Sequence, residues 1–275
     1  MPPFATMNRR AFLQRLAALL PAHAAVAVAQ SPVRAPQAAA AERVAVVAAA
    51  SDLKYALEAV AEQYAAQGNP KPKLIFGSSG NFTRQIQQGA PFDLFLSADE
   101  RYIAQLAAAG LTRDAGVVYA VGRIGIAVPP GSPVQADSEL ADLRRALAKG
   151  RVHRFAIANP EHAPYGKRAQ EALQYAGLWE TIQPYLVFGE NIAQAMQFAL
   201  SGGAQGGIIA LSLAKAPTVA PRLGGFALIP ESWHTPLVQR MALLRAAHPE
   251  AERFYAYLQG NDARKILAQY GFVLP

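Results

Sequence analysis

The sequence has 275 residues, of which 52% are hydrophobic and none is cysteine. A chain of this length can bury one large core or two moderate ones, and the lack of cysteine excludes a disulfide framework and a thiolate metal site. The formal net charge is +7, but four of these charges belong to arginines in the first 40 residues, which leaves +3 for the rest. No basic run remains there, so we expect no nucleic-acid partner.

The first 41 residues have the features of an export signal followed by a linker. The pair Arg9-Arg10 precedes an apolar stretch at 16–29, and an Ala- and Pro-rich segment follows. This layout is typical of a signal that is removed after export, and the paired arginines resemble a twin-arginine signal. An amphipathic surface helix is the alternative, and it is disfavoured because no acidic residue balances the arginines.

Strand-like and helical patterns alternate from residue 43 onwards. The apolar run at 43–50 predicts a buried parallel strand, and Leu53, Leu57, Val60 and Tyr64 then recur at helical spacing. Later patterns predict strands at 73–77, 94–97, 154–158, 185–188, 207–211 and 226–229, and helices at 81–88, 100–109, 138–148, 165–176, 192–200, 250–258 and 263–270. This alternation is typical of an α/β fold.

Two long apolar segments predict crossings between two lobes. The segment at 117–129 is longer than an ordinary strand and contains two glycines, and a second crossing is expected near 235–244. We therefore predict a two-lobed α/β protein with a cleft at the hinge. The first lobe is expected to comprise residues 42–122 plus 236–275, and the second lobe residues 123–235.

Two polar clusters follow the first two predicted strands. They are Ser51-Asp52 and the segment at 78–81, which reads Ser-Ser-Gly-Asn. Such turns lie at the carboxyl ends of parallel strands, where hydroxyls and the free N–H groups of a helix start can hold an anion. The sequence thus predicts an oxyanion site, although Ser51 and Ser79 could also serve only as helix N-caps.

Several separated blocks of sequence resemble one family. They are VAVVAAASDL at 44–53, FGSSGNFTRQIQQGAPFDLFLSAD at 76–99, ANPEHAPYGK at 158–167, GENIAQA at 189–195 and YGF at 270–272. In this order, and over nearly the whole chain after residue 41, they resemble the periplasmic molybdate-binding proteins of ABC importers. The resemblance implies the type II periplasmic-binding-protein fold.

The resemblance also implies a set of ligand-binding residues. The first lobe would contribute the hydroxyls and amides of Ser51 and Ser79, with the amide of Asp52 as a possible addition. The second lobe would contribute the backbone amides of Tyr165 and Ile192. The ligand would be molybdate, and also tungstate, bound as an oxyanion without a cofactor and without side chains that ligate a metal cation.

The chain departs from the family at Ala210, where some members carry a tyrosine whose hydroxyl reaches the ligand. A fifth donor would then come from the Asp52 amide or the Tyr165 hydroxyl, or be absent. The Asp52 carboxylate would repel the anion unless it points away from it. A surface position at the start of a helix is the alternative interpretation of Tyr165.

These observations predict a binding protein and not an enzyme. We expect a periplasmic monomer that captures molybdate or tungstate and delivers it to the transmembrane subunits of an ABC permease. Another tetrahedral oxyanion such as sulfate is the alternative ligand. A serine hydrolase that uses Ser51 or Ser79 is a remote alternative, because no motif supplies a base. The five histidines show no metal-ligand spacing, and His162 is expected to be a polar loop residue.

Overall fold

The computed structural model describes residues 43–275, which form two lobes, each built on a five-stranded mixed sheet. The expected export signal and linker at 1–41 lie outside the described residues. Within the described part, no helix has both the length and the apolar character needed to cross a membrane.

The strands and helices alternate along the chain as the hydrophobic pattern predicts. The strands are β1 Val46–Ala50, β2 Lys73–Gly77, β3 Leu94–Ser97, β4 Val117–Gly122, β5 Ile124–Val128, β6 Phe155–Ala158, β7 Leu186–Gly189, β8 Gly207–Ala210, β9 Gly225–Leu228 and β10 Leu237–Leu243. The helices are α1 Lys54–Ala66, α2 Ser79–Gln87, α3 Glu100–Ala108, α4 Ala141–Ala148, α5 Pro164–Tyr175, α6 Trp179–Ile182, α7 Ile192–Leu200, α8 Leu211–Ala214, α9 Pro249–Leu258 and α10 Asn261–Gln269.

The two sheets share one topology. The first has the order β2-β1-β3-β10-β4, and the second has the order β7-β6-β8-β5-β9. In the first sheet β1 runs parallel to β2 and β3, whereas β10 is antiparallel to β3 and β4. In the second sheet β6 runs parallel to β7 and β8, whereas β5 is antiparallel to β8 and β9. We call the parts built on these sheets the first and the second lobe.

The central strands are apolar throughout because helices cover both faces of each sheet. In β1, Val47 and Ala49 belong to the core beneath α1 and α9, whereas Ala48 belongs to the core beneath α2 and α3. In β3, Phe95 likewise packs with the α2 and α3 side chains, on the face opposite its neighbours. Burial on both faces removes the alternation expected of a half-exposed strand, so the continuous apolar runs correctly predicted buried parallel strands.

The chain passes between the lobes twice. The long segment at 117–129 is divided by Arg123 into β4, which lies in the first sheet, and β5, which lies in the second. The return passage occupies residues 229–236, so the strand after it, β10, lies wholly in the first sheet. The exact lobe boundaries at 122/123 and 235/236 stay a prediction.

Several element boundaries differ from the predicted ones. Helix α2 begins at Ser79, two residues before the expected start, and α4 begins at Ala141, three residues after it. The later start of α4 has a local cause, because Leu140 has a positive φ of 56° and the Asp137 carboxylate accepts the amides of Ala141 and Asp142. The short helices α6 and α8 were not predicted, since four residues carry too little periodic signal.

Candidate functional site

A small cavity lies between the lobes where the turns after β1, β2, β6 and β7 meet. Its lining residues are Ala50, Ser51, Asp52, Gly77, Ser78, Ser79, Ala98, Ala163, Pro164, Tyr165 and Ile192. The structure therefore brings the four predicted donor residues and Asp52 to one cavity, at the carboxyl ends of strands from both sheets. No Lys, Arg or His is among these lining residues.

The hydroxyls of Ser51 and Ser79 are oriented by backbone amides. The Ser51 Oγ accepts a hydrogen bond from the N–H of Ala193 at 3.2 Å, and the Ser79 Oγ accepts one from the N–H of Ala98 at 3.0 Å. Both residues are almost fully buried. Since each hydroxyl oxygen acts as an acceptor here, its own proton is left to donate to another group.

Neither serine is the N-cap of its helix, so the capping alternative is wrong for both. Ser51 is the first residue of a 3₁₀ turn at Ser51–Leu53 whose N-cap position is Ala50, and Ser79 is the first residue of α2 after Ser78. Neither Ala50 nor Ser78 makes a side-chain capping bond. Both helices begin one residue earlier than an N-cap role requires, and the two hydroxyls contact amides outside their own helices.

The second lobe presents two helix starts to the same cavity. Tyr165 is the second residue of α5, after Pro164, and Ile192 is the first residue of α7, whose N-cap Asn191 accepts the amide of Gln194 at 3.1 Å. Backbone N–H groups in a first helical turn have no acceptor within the helix, and the helix dipole adds positive potential there. The role of these amides as ligand donors stays a prediction.

The Tyr165 side chain is not a surface aromatic, because only 2% of the residue is exposed. Its hydroxyl donates to Oδ2 of Asp52 at 3.0 Å, and Nε2 of Gln239 donates to both that oxygen, at 2.7 Å, and the tyrosine oxygen, at 3.1 Å. Burial and the neighbouring Asp52 raise the pKa of Tyr165 well above its usual value, so the hydroxyl keeps its proton. That proton is used on Asp52, and the hydroxyl is not free to be the missing fifth donor.

The Asp52 carboxyl is buried where it contacts Tyr165 and Gln239, and neither of these partners is a cation. Desolvation raises the pKa of Asp52 to about 7, and the hydrogen bonds from Gln239 and Tyr165 only partly oppose it. Its other oxygen, Oδ1, has no hydrogen-bond partner among the described residues. The backbone carbonyl of Asp52 accepts the hydroxyl of Ser212 at 2.7 Å, two residues beyond the buried Ala210. The carboxyl is thus held by neutral partners instead of solvent.

A second set of polar contacts joins the lobes at the side of the cavity. The Ser78 Oγ lies 3.0 Å from Nδ1 of His162, Nε2 of that imidazole lies 3.5 Å from Glu190, and Asn81 donates to Glu190. The N–H of Gly80 also donates to the carbonyl of His162 at 2.9 Å. His162 does lie in a turn, but it is buried between the lobes, which its sequence position did not reveal.

A third contact between the lobes is ionic. Arg168, one turn after Tyr165 on α5, donates to Asp99 at 2.9 Å and pairs with Glu171. Asp99 is the N-cap of α3, and its carboxylate also binds Arg101. Burial would raise the pKa of Asp99, but the hydrogen bonds and charges of Arg101 and Arg168 outweigh it and lower the pKa.

Sequence reasoning missed Gln239, Ser212 and His162. His162 stands inside the block at 158–167 that carries the resemblance, so a signal was present for it. Gln239 and Ser212 lie far along the chain from the residues that they contact, and no local pattern marks them. Among residues 43–275, no group of three His, Cys, Asp or Glu side chains is placed to hold a metal ion.

The class of protein follows from comparison with known families. The model of the family described as bacterial extracellular solute-binding protein matches residues 45–273. Because this match spans most of the chain, the protein belongs to that family. Within it, the chain belongs with the proteins named ModA, to which it is 33–34% identical over most of its length.

The molybdate-binding protein ModA of Rhodobacter capsulatus is 34% identical over 201 residues, which cover 72% of this chain and 75% of that protein. The protein of the same name from Azotobacter vinelandii is 33% identical and covers 83% of this chain and 89% of its own length. The solved structure of the Azotobacter vinelandii periplasmic molybdate-binding protein superposes with a TM-score of 0.74 at 28% identity, covering 84% of this chain and 99% of that one.

Proposed function

We propose that this protein binds molybdate, and also tungstate, in the cavity between its lobes. The observation that carries the proposal is the cavity itself, which is lined by Ser51, Ser79, Tyr165 and Ile192 from four separate turns. Two relatives that match it over most of their length are named as molybdate-binding proteins.

The donors fit a tetrahedral dianion. Two serine protons and the N–H groups of four helix starts converge from both lobes, and none of these donors carries a formal charge. Neutral donors stabilise the anion through hydrogen bonds and helix dipoles, while they avoid the strong attraction of a buried cation that would slow its release. With the pKa of Asp52 at about 7, its carboxyl carries reduced negative charge near neutral pH, which limits repulsion of the ligand.

The hydrolase alternative finds no support at Ser51 or Ser79. Both hydroxyls contact backbone amides, and neither has a histidine or carboxylate as a hydrogen-bond partner in the described part of the chain. A nucleophilic serine needs a base within hydrogen-bond reach. A binding role without chemistry is therefore the better account of these residues.

Calorimetric titration of residues 43–275 with molybdate, tungstate, sulfate and phosphate tests the proposal. We expect saturable binding of molybdate and tungstate. Phosphate should bind at least about tenfold more weakly, because at neutral pH it usually carries a proton that a site of donors leaves unpaired, at a cost of about 1–3 kcal/mol. If sulfate binds most tightly, the ligand is sulfate and not molybdate. If none of the four anions binds, the proposed site is refuted.

We also propose that the protein works in the periplasm and delivers its ligand to the transmembrane subunits of an ABC permease, as a monomer. The pair Arg9-Arg10 would direct export through the twin-arginine route. Replacement of both arginines by lysine should leave the precursor in the cytoplasm, while the folded chain still binds molybdate. Normal export of that variant would indicate the general secretory route instead.

A further inference from the structure

One side chain of the second lobe is inserted into the first lobe beside the cavity. The ring of Tyr165 starts from α5 in the second lobe, and its hydroxyl bonds with Asp52 and Gln239, which both belong to the first. Asp52 and Tyr165 also line the cavity. The hydroxyl contact therefore joins the lobes next to the place where the ligand would lie.

The first lobe is shaped to receive this hydroxyl. Gly122, the last residue of β4, leaves room for the Tyr165 hydroxyl. A Cβ at position 122 would overlap the tyrosine oxygen. The hydroxyl of Tyr119 donates to Oε1 of Gln239 at 2.7 Å, which turns Nε2 of the same amide towards Tyr165 and Asp52. We call Asp52, Gly122 and Gln239 the socket.

The socket contact exists only while the lobes are together. Tyr165 and the socket lie on opposite sides of the cleft, so separation of the lobes returns the hydroxyl and the carboxyl to water. In two-lobed binding proteins a ligand shifts the population towards the closed form because it interacts more favourably with that form than with the open one. A hydrogen bond made only in the closed form must then affect release more than capture.

We propose that the Tyr165 side chain is a closure latch, a positioning residue whose hydroxyl in the socket holds the lobes closed over the bound oxyanion and so sets the lifetime of the complex. This inference rests on the proposed function, because it assumes an anion in the cavity. It assigns to the tyrosine hydroxyl a role separate from that of the Tyr165 backbone amide.

Replacement of Tyr165 by phenylalanine tests the latch, since it removes the hydroxyl and keeps the ring and the backbone amide. Radiolabelled molybdate is bound, chased with an excess of unlabelled molybdate, and its release is followed with time. We expect release about tenfold faster than from the wild type, the effect of one hydrogen bond to a buried carboxyl. The association rate should stay near the wild-type value, and circular dichroism of the ligand-free variant should show the wild-type fold.

The variant Tyr64→Phe is the matched control. It removes the hydroxyl of another buried tyrosine of the first lobe, which packs against Phe254 and Tyr257 and makes no hydrogen bond through that hydroxyl among the described residues. We expect its release rate to remain within about twofold of the wild type. Equal acceleration by both variants would mean that loss of a buried tyrosine hydroxyl speeds release wherever it lies in the first lobe, and it would overturn the latch.

The variant Gly122→Ala tests the latch by a change in the socket instead of in the tyrosine. Its methyl group would overlap the tyrosine hydroxyl and crowd Nε2 of Gln239, so release should accelerate at least as much as in Tyr165→Phe. In the double variant the hydroxyl is already absent, and we expect release no faster than in either single variant. If the two substitutions multiply each other's effect on the release rate, they do not act on the same contact, and the latch is contradicted.

The outcomes separate the latch from the function on which it rests. If the wild type binds no oxyanion in calorimetry, the proposed function fails and the latch fails with it. If the wild type binds molybdate but Tyr165→Phe releases it at the wild-type rate, the latch alone is overturned.

Discussion

Two buried aspartates of the first lobe make similar contacts with the second lobe and yet differ in electrostatic state. Asp52 meets Tyr165, and Asp99 meets Arg168, one turn later on the same helix. The pKa of Asp52 is raised to about 7 because burial is opposed only by neutral donors, whereas Arg101 and Arg168 lower the pKa of Asp99. Burial raises both pKa values, and it is outweighed only at Asp99, which has two arginine partners that Asp52 lacks.

This difference matches the positions of the two contacts. Asp52 lines the cavity, where a fixed ion pair would add charges beside the ligand, while Asp99 and Arg168 are absent from its lining. A neutral contact beside the cavity can be broken when the lobes separate without leaving a fixed charge pair beside the ligand. Removal of one partner from a buried ion pair is costly, because the other charge stays buried without compensation. The contacts that line the cavity are therefore neutral, and the ion pair between the lobes lies outside its lining.

The largest effect is expected at the ionic contact. Arg168→Met should lower the free energy of unfolding by about 3 kcal/mol, because Asp99 and Glu171 then lose a buried cation. Urea denaturation measures it. The matched control is Arg101→Met, which removes another partner of Asp99, but one whose side chain is 73% exposed and whose loss should cost less than about 1 kcal/mol. Equal losses in the two variants would show that the burial of Arg168 is irrelevant.

The next effect concerns the neutral donors of the cavity. Ser51→Ala and Ser79→Ala should each weaken molybdate binding by about ten- to a hundredfold, since each removes a donor to a charged ligand worth about 1.5–3 kcal/mol. Calorimetry of the purified variants provides the measurement. Ser201→Ala, at an exposed position beyond α7, is the control and should bind like the wild type. If neither cavity variant changes the affinity for molybdate, the two serines do not bind the ligand.

The smallest effect, counted per pH unit, is the dependence of stability on pH. The pKa of Asp52 is raised on folding, so its contribution is present below the usual value of 3.8 and is lost as the pH rises through about 7. Wild-type stability should fall by at most about 1.4 kcal/mol per pH unit in this window relative to Asp52→Asn. For Asp99 the pKa is lowered, so its contribution is lost only as the pH falls below the usual range. Parallel stability curves for wild type and Asp52→Asn between pH 5 and 8, measured by thermal unfolding, would contradict the raised pKa.

The sequence predicted the strands of both sheets well, because strands depend on local signals, while the ligand role of the candidate site residues stays a prediction. The continuous apolar runs at β1 and β3 identified strands covered on both faces, and the polar turns after β1 and β2 marked the carboxyl ends of the strands. The turns with Ser51 and Ser79 meet the helix starts with Tyr165 and Ile192 at one cavity, as their expected positions required.

The contacts between the lobes could not be predicted in the same way. The bond between Tyr165 and Asp52 joins residues 113 positions apart, and that between Ser51 and Ala193 joins residues 142 apart. No local pattern encodes such pairs, because they depend on how two separately folded lobes meet. The N-cap alternative at Ser51 and Ser79 was wrong for a related reason. Helix propensity does not fix a boundary to one residue, and a shift by one changes what a hydroxyl contacts.

The central claim is that an oxyanion of molybdenum is held in the cavity by donors from both lobes. X-ray diffraction from crystals of the molybdate complex, recorded at the molybdenum absorption edge, tests it most directly. We expect a single anomalous peak between the lobes, within hydrogen-bond distance of the Ser51 and Ser79 hydroxyls and the amides of Tyr165 and Ile192. A peak outside this cavity in a protein that binds molybdate in solution would contradict the account.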